Sequence, residues 1–269
     1  MKPFRSLSVC SIRRAGKVTM LLCMLAIAHP SLANCDAIVE KLSIDLKYPW
    51  NADDGRKNFN ACKVLPTDKN FSVVAFANPT STDKLEEQLF DIDVLLVRSD
   101  NGTIIKRKLQ KKQLISNAVA LNGINIEAGK YQLTSQIRAI GIGAYFSSNS
   151  HSYSFNAHTI NLYVAEGQVI KSVLKNLILA QKSSSGDFEF KTPDDHCTGT
   201  STKIYRTVSI GKMRSNGYAD LLISEKRIDS DSEPGHGDDC KTTSSKSSKR
   251  YTLRFNGDAY VVPKELLYE

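Results

Sequence analysis

Short segments in which apolar and polar residues alternate recur along most of the chain. A period of two residues is typical of a β-strand with one buried and one exposed face. Such segments occur at Phe90–Arg98, Thr103–Leu109, Tyr131–Arg138, Ile160–Val164, Ile204–Ile210, Tyr218–Glu225, Tyr251–Phe255 and Ala259–Val262. Turn residues separate many of them, so we predict a mainly β protein with little helix, whose antiparallel sheets pack as a sandwich or an open barrel.

Two Asn-Gly pairs mark the tightest of the expected turns. Asp100-Asn101-Gly102 lies between the first two of these segments, and Asn256-Gly257-Asp258 lies between the last two. Asn and Gly readily adopt the positive φ angles that a two-residue hairpin turn requires. Both sequences therefore predict hairpins.

Two other segments carry weaker signals. Asp36–Leu46 has a weak helical pattern. In Val169–Leu177 the apolar residues recur at helical spacing, whereas Leu177-Ile178-Leu179 is equally typical of a buried strand. We expect a strand at least at the end of this region.

The N-terminal 33 residues have the three parts of a secretory signal peptide. Five basic residues and no acidic ones accompany an apolar run at Val18–Ala28, and the small-residue sequence Ser31-Leu32-Ala33 follows. The run is too short to span a bilayer. Since five of the 36 Lys and Arg residues lie here, cleavage leaves 31 basic and 28 acidic side chains, a net charge of +3.

General secretion fits this segment better than two related export signals. Leu32-Ala33-Asn34-Cys35 resembles a lipoprotein signal, but Asn34 occupies a position that normally holds a small residue. Arg13-Arg14 resembles a twin-arginine signal without the hydrophobic residues that should follow the pair. No later stretch approaches the length of a transmembrane helix. We expect an exported protein, periplasmic or extracellular, with no transmembrane segment in the mature chain.

Four cysteines remain after the predicted cleavage, and export favours their oxidation. Four cysteines allow three pairings. We favour Cys35 with Cys62 and Cys197 with Cys240, because each pair then lies within one end of the chain. Buried free thiols are the alternative.

The Ser183-Ser184-Ser185-Gly186 stretch divides the sequence by composition. It separates an N-terminal β-rich portion, residues 34–182, from a C-terminal β module, residues 186–269. Within the module, residues 227–249 are acidic first and then rich in Lys and Ser, with Pro234-Gly235 between the two parts. We expect a mobile insertion there.

Two short clusters in the C-terminal module combine histidine with carboxylates. The first comprises Asp194, Asp195 and His196, and the second comprises His236, Asp238 and Asp239. A bond between Cys197 and Cys240 would bring them together as a candidate site for zinc or calcium; the alternative is two solvated loops beside a structural disulfide. Neither cluster has the fixed ligand spacing of a known metal motif.

Two surface features are candidate binding regions. Gly141–Ser154 is rich in Gly, Ser and Asn, and predicts a loop that exposes Tyr145, Phe146 and Tyr153. A basic patch consists of Lys106, Arg107, Lys108, Lys111 and Lys112 on the second strand of the first predicted hairpin. Such a patch suits lipid head groups or phosphates. Lysines that protect an edge strand from pairing with other chains give the same pattern.

One stretch resembles a known module. In residues 212–223, Asn216, Gly217, Tyr218, Asp220 and the strand Leu221-Leu222-Ile223 are similar to an FG-GAP-type repeat, and Asn256-Gly257 with Tyr260 is similar to the hairpin end of related secreted bacterial proteins. Lys212 and Arg214 stand where that family has calcium ligands, and cations there repel calcium. The resemblance implies a strand-turn-strand module without its calcium.

More broadly, the mature chain resembles exported proteins of Gram-negative bacteria that join a β-rich front to a tail of this kind. That resemblance implies no activity. The sequence contains no Gly-x-Ser-x-Gly, His-Glu-x-x-His or phosphate-binding glycine motif.

We therefore expect a non-catalytic protein without a cofactor that binds an envelope component or a partner protein. Nucleic acid is an unlikely partner, given the small net charge. The alternative is a divalent-metal-binding protein or a metal-dependent hydrolase that uses His196, His236 and the neighbouring aspartates.

Overall fold

Two antiparallel sheets and one α-helix make up most of the described structure. A computed structural model describes residues 35–48, 59–80, 87–149, 153–186, 198–235 and 240–268. The helix, α1, spans Cys35–Asp45, and a short 3-10 helix spans Lys264–Leu266. The strands are β1 (Asn60–Val64), β2 (Phe71–Pro79), β3 (Gln88–Arg98), β4 (Ile104–Ser116), β5 (Ala120–Gln132), β6 (Arg138–Asn149), β7 (Tyr153–Glu166), β8 (Val169–Gly186), β9 (Gly199–Ser215), β10 (Tyr218–Pro234) and β11 (Cys240–Leu253). The expected mainly β, sandwich-like fold is confirmed.

Each sheet is a meander in which strands that follow one another in the sequence are neighbours. The smaller sheet has the order β1-β2-β3-β4, and the larger has the order β11-β10-β9-β8-β7-β6-β5. All pairs in both sheets are antiparallel, as short connections require.

The predicted hairpin around Asn101-Gly102 joins β3 to β4. Gly102 has a φ of +70°, and the Asn101 side chain accepts a hydrogen bond of 2.9 Å from the backbone N–H of Thr103. The second predicted turn is also present, since Gly257 has a φ of +107° and the Asn256 side chain accepts bonds from two backbone N–H groups. Both turns follow from the local chemistry of Asn and Gly.

The main core lies between the two sheets. Side chains of β2, β3 and β4 pack there against those of β5, β6 and β7; the buried apolar set includes Val73, Ala75, Ile92, Val94, Leu114, Ile124, Ile126, Ile140, Ile142, Phe146 and Tyr163. On the other face of the smaller sheet, Leu42 of α1 packs with Val74, Phe76 and Leu95. The smaller sheet is therefore covered on both faces.

The larger sheet curls so that the start of β10 approaches the end of β5. The backbone N–H of Ala219, in β10, donates to the carbonyl oxygen of Leu133, just after β5, at 2.9 Å. A second apolar cluster fills the concave side. Ile160, Leu162 and Val164 point into this cluster, whereas Tyr163 belongs to the main core. The expected exposed face of Ile160–Val164 is thus wrong, because both faces of β7 are covered over these five residues.

One predicted strand is shorter than expected, and one ambiguous region is a strand. Tyr131–Arg138 is not one strand, because β5 ends at Gln132 and a turn follows in which the Thr134 hydroxyl accepts bonds from the N–H groups of Gln136 and Ile137. The ambiguous region from Val169 belongs to β8 throughout.

Residues 227–234 and 240–249, where we expected a mobile insertion, form regular paired strands. β10 and β11 pair without a register shift from Leu221–Leu253 to Pro234–Cys240. The segment has a loop-like composition because both of its faces meet solvent, so no apolar alternation reveals the strands. The expected boundary at Ser183–Gly186 lies inside β8, which pairs with both β7 and β9.

The first predicted disulfide is present. Cys35 at the start of α1 bonds to Cys62 in β1, with the two Cα atoms 5.6 Å apart. The bond ties the helix to the edge strand of the smaller sheet. Cys197 lies outside the described residues and Cys240 is described only by its backbone, so the second bridge stays a prediction.

Loss of the Cys35–Cys62 bond should destabilise the protein. Cys35→Ala and Cys62→Ala should each lower the free energy of unfolding by about 2 to 5 kcal/mol, because the unfolded chain is no longer constrained. Urea unfolding measures the effect, and the double variant should match either single one. A loss below about 0.5 kcal/mol would contradict a stabilising role for the bond.

The second bridge is testable by peptide mapping under non-reducing conditions. We expect one linked pair containing Cys197 and Cys240 and a separate pair containing Cys35 and Cys62. Free thiols at Cys197 and Cys240 would show that the second bridge is absent.

Candidate functional site

The outer halves of five strands of the larger sheet form a polar arm. We define the arm as residues 153–158, 180–186, 199–206, 225–234 and 240–249 of β7 to β11. None of the residues 229–234 or 241–249 is buried, and Ser, Thr and Lys predominate there. The outer part of the arm, on β10 and β11, therefore has both sheet faces in contact with solvent.

The register lines up residues of the same chemistry across the arm and the neighbouring strand β6. Residues directly opposite one another on adjacent strands share a face. We call each such line a rung. The aromatic rung is Tyr145, His158, Ala180, Tyr205, Lys226 and Ser248; the lysine rung is Ser147, Asn156, Lys182, Lys203, Ile228 and Lys246; the serine rung is Asn149, Ser154, Ser184, Ser201, Ser230 and Ser244.

These three rungs form one surface, which we call the basic face. They are two residues apart along each strand and therefore lie on the same side of the sheet. The basic face carries four lysines and no Asp or Glu among the residues of its three rungs. Lys182 lies directly opposite Lys203. Like charges in that position repel, so an anion bound there relieves an existing strain.

The opposite side of the arm is balanced in charge. Thr202 donates a hydrogen bond of 2.7 Å to Asp229, and the Arg227 guanidinium lies 2.7 Å from the same carboxylate. The hydrogen bonds that Arg227 and Thr202 donate to Asp229 lower the pKa of its carboxyl group, and the bond from Arg227 has the larger effect. Lys241 pairs with Glu233 at 3.0 Å. Strand alternation has thus placed the carboxylates on one side and, on the other, lysines that form no ion pair with any described residue.

A shallow cavity of about 230 Å³ opens on the basic face. The Tyr145 ring stacks on the His158 imidazole, with centroids 4.3 Å apart and planes 10° from parallel. The small side chain of Ala180 separates this pair from Tyr205, half of which is exposed. Asn122, Asn156 and Lys182 also line the cavity, which combines aromatic surfaces with amide and ammonium groups.

His158 is held in an environment that favours its neutral form. Burial lowers the pKa of its imidazole, and Lys130 acts in the same direction while Glu127 opposes it. The Nε2 atom is buried and has no hydrogen-bond partner among the described residues, and the same holds for Oδ1 of Asn125. Both atoms lie over Gly143, where a Cβ would be 2.7 Å from Nε2 and would collide with Oδ1. Only glycine fits beneath this pair.

The predicted aromatic loop is a pair of strands instead. Tyr145 lies in β6 and contributes to the basic face, but Phe146 points to the opposite side, where it is buried and stacks on Tyr268 at 4.5 Å. Tyr153 begins β7, is exposed, and lies on the side opposite to Ser154. Alternation along a strand therefore places Tyr145 on the side of the sheet opposite to Phe146 and Tyr153, so the three residues do not act together as we expected.

The predicted basic patch is divided in the same way. It lies on β4, the edge strand of the smaller sheet, with Lys106 and Lys108 on one face and Arg107 on the other. The Arg107 guanidinium lies 2.8 Å from the Asp93 carboxylate, which is fully buried and also accepts a hydrogen bond of 2.6 Å from Tyr48. Arg107 is therefore a structural partner of Asp93, and burial raises the pKa of Tyr48 to about 12. Lys111 and Lys112 are exposed.

The predicted metal ligands Asp194, Asp195, His196, His236, Asp238 and Asp239 all lie outside the described residues. Within the described ranges, no three residues among His, Cys, Asp and Glu are grouped as metal ligands. Nor does that part of the chain contain a helix with the length and apolar character needed to cross a membrane.

Comparisons with protein-family models, curated proteins and solved structures found no match for this chain. The chemistry of the basic face therefore has to be inferred from its geometry.

The neutral state of His158 predicts acid sensitivity. Because its pKa is lower in the folded chain, the unfolded chain binds the proton more readily, and the free energy of unfolding should fall as the pH drops from about 7 to 5. Urea unfolding of the wild type and of His158→Gln should show a smaller fall in the variant. An NMR titration of the imidazole gives the pKa directly, and a value above about 6.5 would contradict the burial effect.

Proposed function

We propose that the protein is exported and, without catalysis, binds an acidic glycan of the cell envelope on its basic face. The observation that carries this proposal is the alignment of exposed aromatic rings with lysines and serine hydroxyls on one side of the arm. The signal-like N-terminus supports export, and the Cys35–Cys62 bond fits an oxidising compartment.

Each component of the basic face suits one part of such a ligand. Tyrosine presents a flat apolar ring with a polar end, which suits the alternately apolar and hydroxylated surface of a sugar. Lysine is a compact positive charge for a carboxylate or phosphate. Asn and Ser side chains both donate and accept hydrogen bonds, as sugar hydroxyls do.

The same face is poorly suited to a tight protein interface. Protein hot spots are large side chains in well-packed, dehydrated pockets. Here Lys182 and Lys226 are exposed, and most of the surrounding side chains are Ser, Thr or Asn. A hydrated, hydroxyl-rich ligand can exchange its hydrogen bonds to water for hydrogen bonds to these side chains, whereas an apolar ligand cannot.

Removal of the lysines should weaken the binding of an acidic glycan. We expect polygalacturonate to bind the protein in isothermal titration calorimetry at low salt and its neutral methyl ester to bind weakly. Lys182→Ser/Lys203→Ser/Lys226→Ser should lower the affinity at least about tenfold, because three positive charges are lost near the ligand. The matched control Lys69→Ser/Lys111→Ser/Lys175→Ser removes three exposed lysines elsewhere, and should bind nearly as well as the wild type.

Tyrosine variants separate a specific site from general attraction. Tyr205→Ser should cost about 2 kcal/mol, close to 30-fold in affinity, as truncation of a central aromatic contact does. Tyr153→Ser, on the opposite side of the same arm, should leave the affinity unchanged. Equal losses in both triple variants, or tighter binding of a single-stranded oligonucleotide that also depends on Tyr205, would overturn the proposal.

A further inference from the structure

The basic face repeats its chemistry across the strands rather than along them. Along β9, Tyr205, Lys203 and Ser201 differ from one another. Across the sheet, the serine rung has serine on five consecutive strands, the lysine rung has lysine on β8, β9 and β11, and the aromatic rung has tyrosine on β6 and β9. A surface with this repeat is matched by a ligand whose own repeat runs perpendicular to the strands.

The spacing of these residues sets the length of the ligand. Neighbouring strands are about 4.8 Å apart, so Tyr145 and Tyr205, three strands from each other, are separated by about 14 Å. Lys182 and Lys246 are likewise three strands apart and span a similar distance. One linked hexose ring advances a glycan by about one strand spacing, so the tyrosines span roughly four consecutive sugars.

The lysine rung runs beside the aromatic rung at a distance of about 7 Å, which is two residues along a strand. A sugar ring lying against the tyrosines therefore has its acidic substituent on the side of Lys182 and Lys203. The serine rung lies one step further out. Its hydroxyls pair with each other at 2.6 Å between Ser154 and Ser184 and at 2.8 Å between Ser230 and Ser244. They keep acceptor lone pairs free for a ligand.

From this geometry we infer that the ligand is a linear acidic glycan of at least about four sugar units that lies along the rungs, across β6 to β11. This inference rests on the proposed function and adds the length and direction of the ligand. A monosaccharide or disaccharide reaches only one tyrosine at a time. An oligomer that reaches both gains the second contact without a second loss of translational freedom.

A length series of oligogalacturonates tests the inference. In calorimetric titrations with oligomers of two to eight units, the affinity should rise at least about tenfold between two and five units. This rise is counted beyond the increase that arises because a longer oligomer can bind in more positions along the site. It should level off above about six units. Tyr145→Ser and Tyr205→Ser should each weaken the binding of the pentamer strongly and that of the dimer at most about twofold.

Two exposed lysines of the edge strand β11 provide a second test, in variants that leave the core intact. Lys246→Ser, on the edge strand, should weaken the binding of the octamer about fivefold and leave dimer binding unchanged. Lys249→Ser, on the same strand but on the opposite side, should change neither. Circular dichroism spectra verify that each variant is folded.

The outcomes separate this inference from the proposed function. If all lengths bind equally and binding still requires Tyr205, the protein binds a small acidic sugar and the inference about length is wrong. If Lys246→Ser leaves the binding of every length unchanged while the tyrosine variants act as expected, the ligand does not extend across β11. If neither oligomers nor the polymer bind, the proposed function itself fails.

Discussion

The register between the strands of the larger sheet determines which side chains lie together on the basic face. β10 pairs with β11 over 14 positions without a shift, and β9 pairs with β10 in the same way from Leu221 outward. Because side chains alternate between faces, a slip of one residue would move Lys226 to the side that carries Asp229 and Asp231. The separation of charge between the two sides of β10 and β11 would be lost, and Lys226 would no longer lie beside Tyr205.

Three features near the core fix this register. Asn216 and Gly217 have φ angles of +47° and +90°, which make a tight turn between β9 and β10. Leu221 and Ile223 are buried in the second apolar cluster and cannot exchange faces without cost. Where the core ends, Arg206 and Glu225 form a buried ion pair of 2.7 Å on one rung. A buried pair of this kind contributes more to the choice of register than to net stability, because a slip would leave both charges unpaired.

The sequence predicts those parts of the structure that local chemistry determines. The Asn101-Gly102 hairpin follows from the turn residues, and the Cys35–Cys62 bond follows from export and spacing. The arm was missed because its strands are polar on both sides, so the alternation that identifies a half-buried strand is absent from Asp229 to Ser248. Tyr145 was found as a candidate, but Tyr205 and the four lysines are brought together only by pairing across β6 to β11. No spacing within the sequence contains that information.

The placement of the site on strands rather than loops has an energetic consequence. A binding loop must be ordered when its ligand arrives, which costs about 1 to 2 kcal/mol for the backbone of each residue that becomes fixed. On the basic face the backbone is already fixed by hydrogen bonds to both neighbouring strands, except at the edge strand β11. Lys182 and Lys203 are held directly opposite each other on neighbouring strands before any anion binds. Folding thus creates a positive field at the surface at the cost of repulsion between like charges, and the binding of an acidic ligand removes that repulsion.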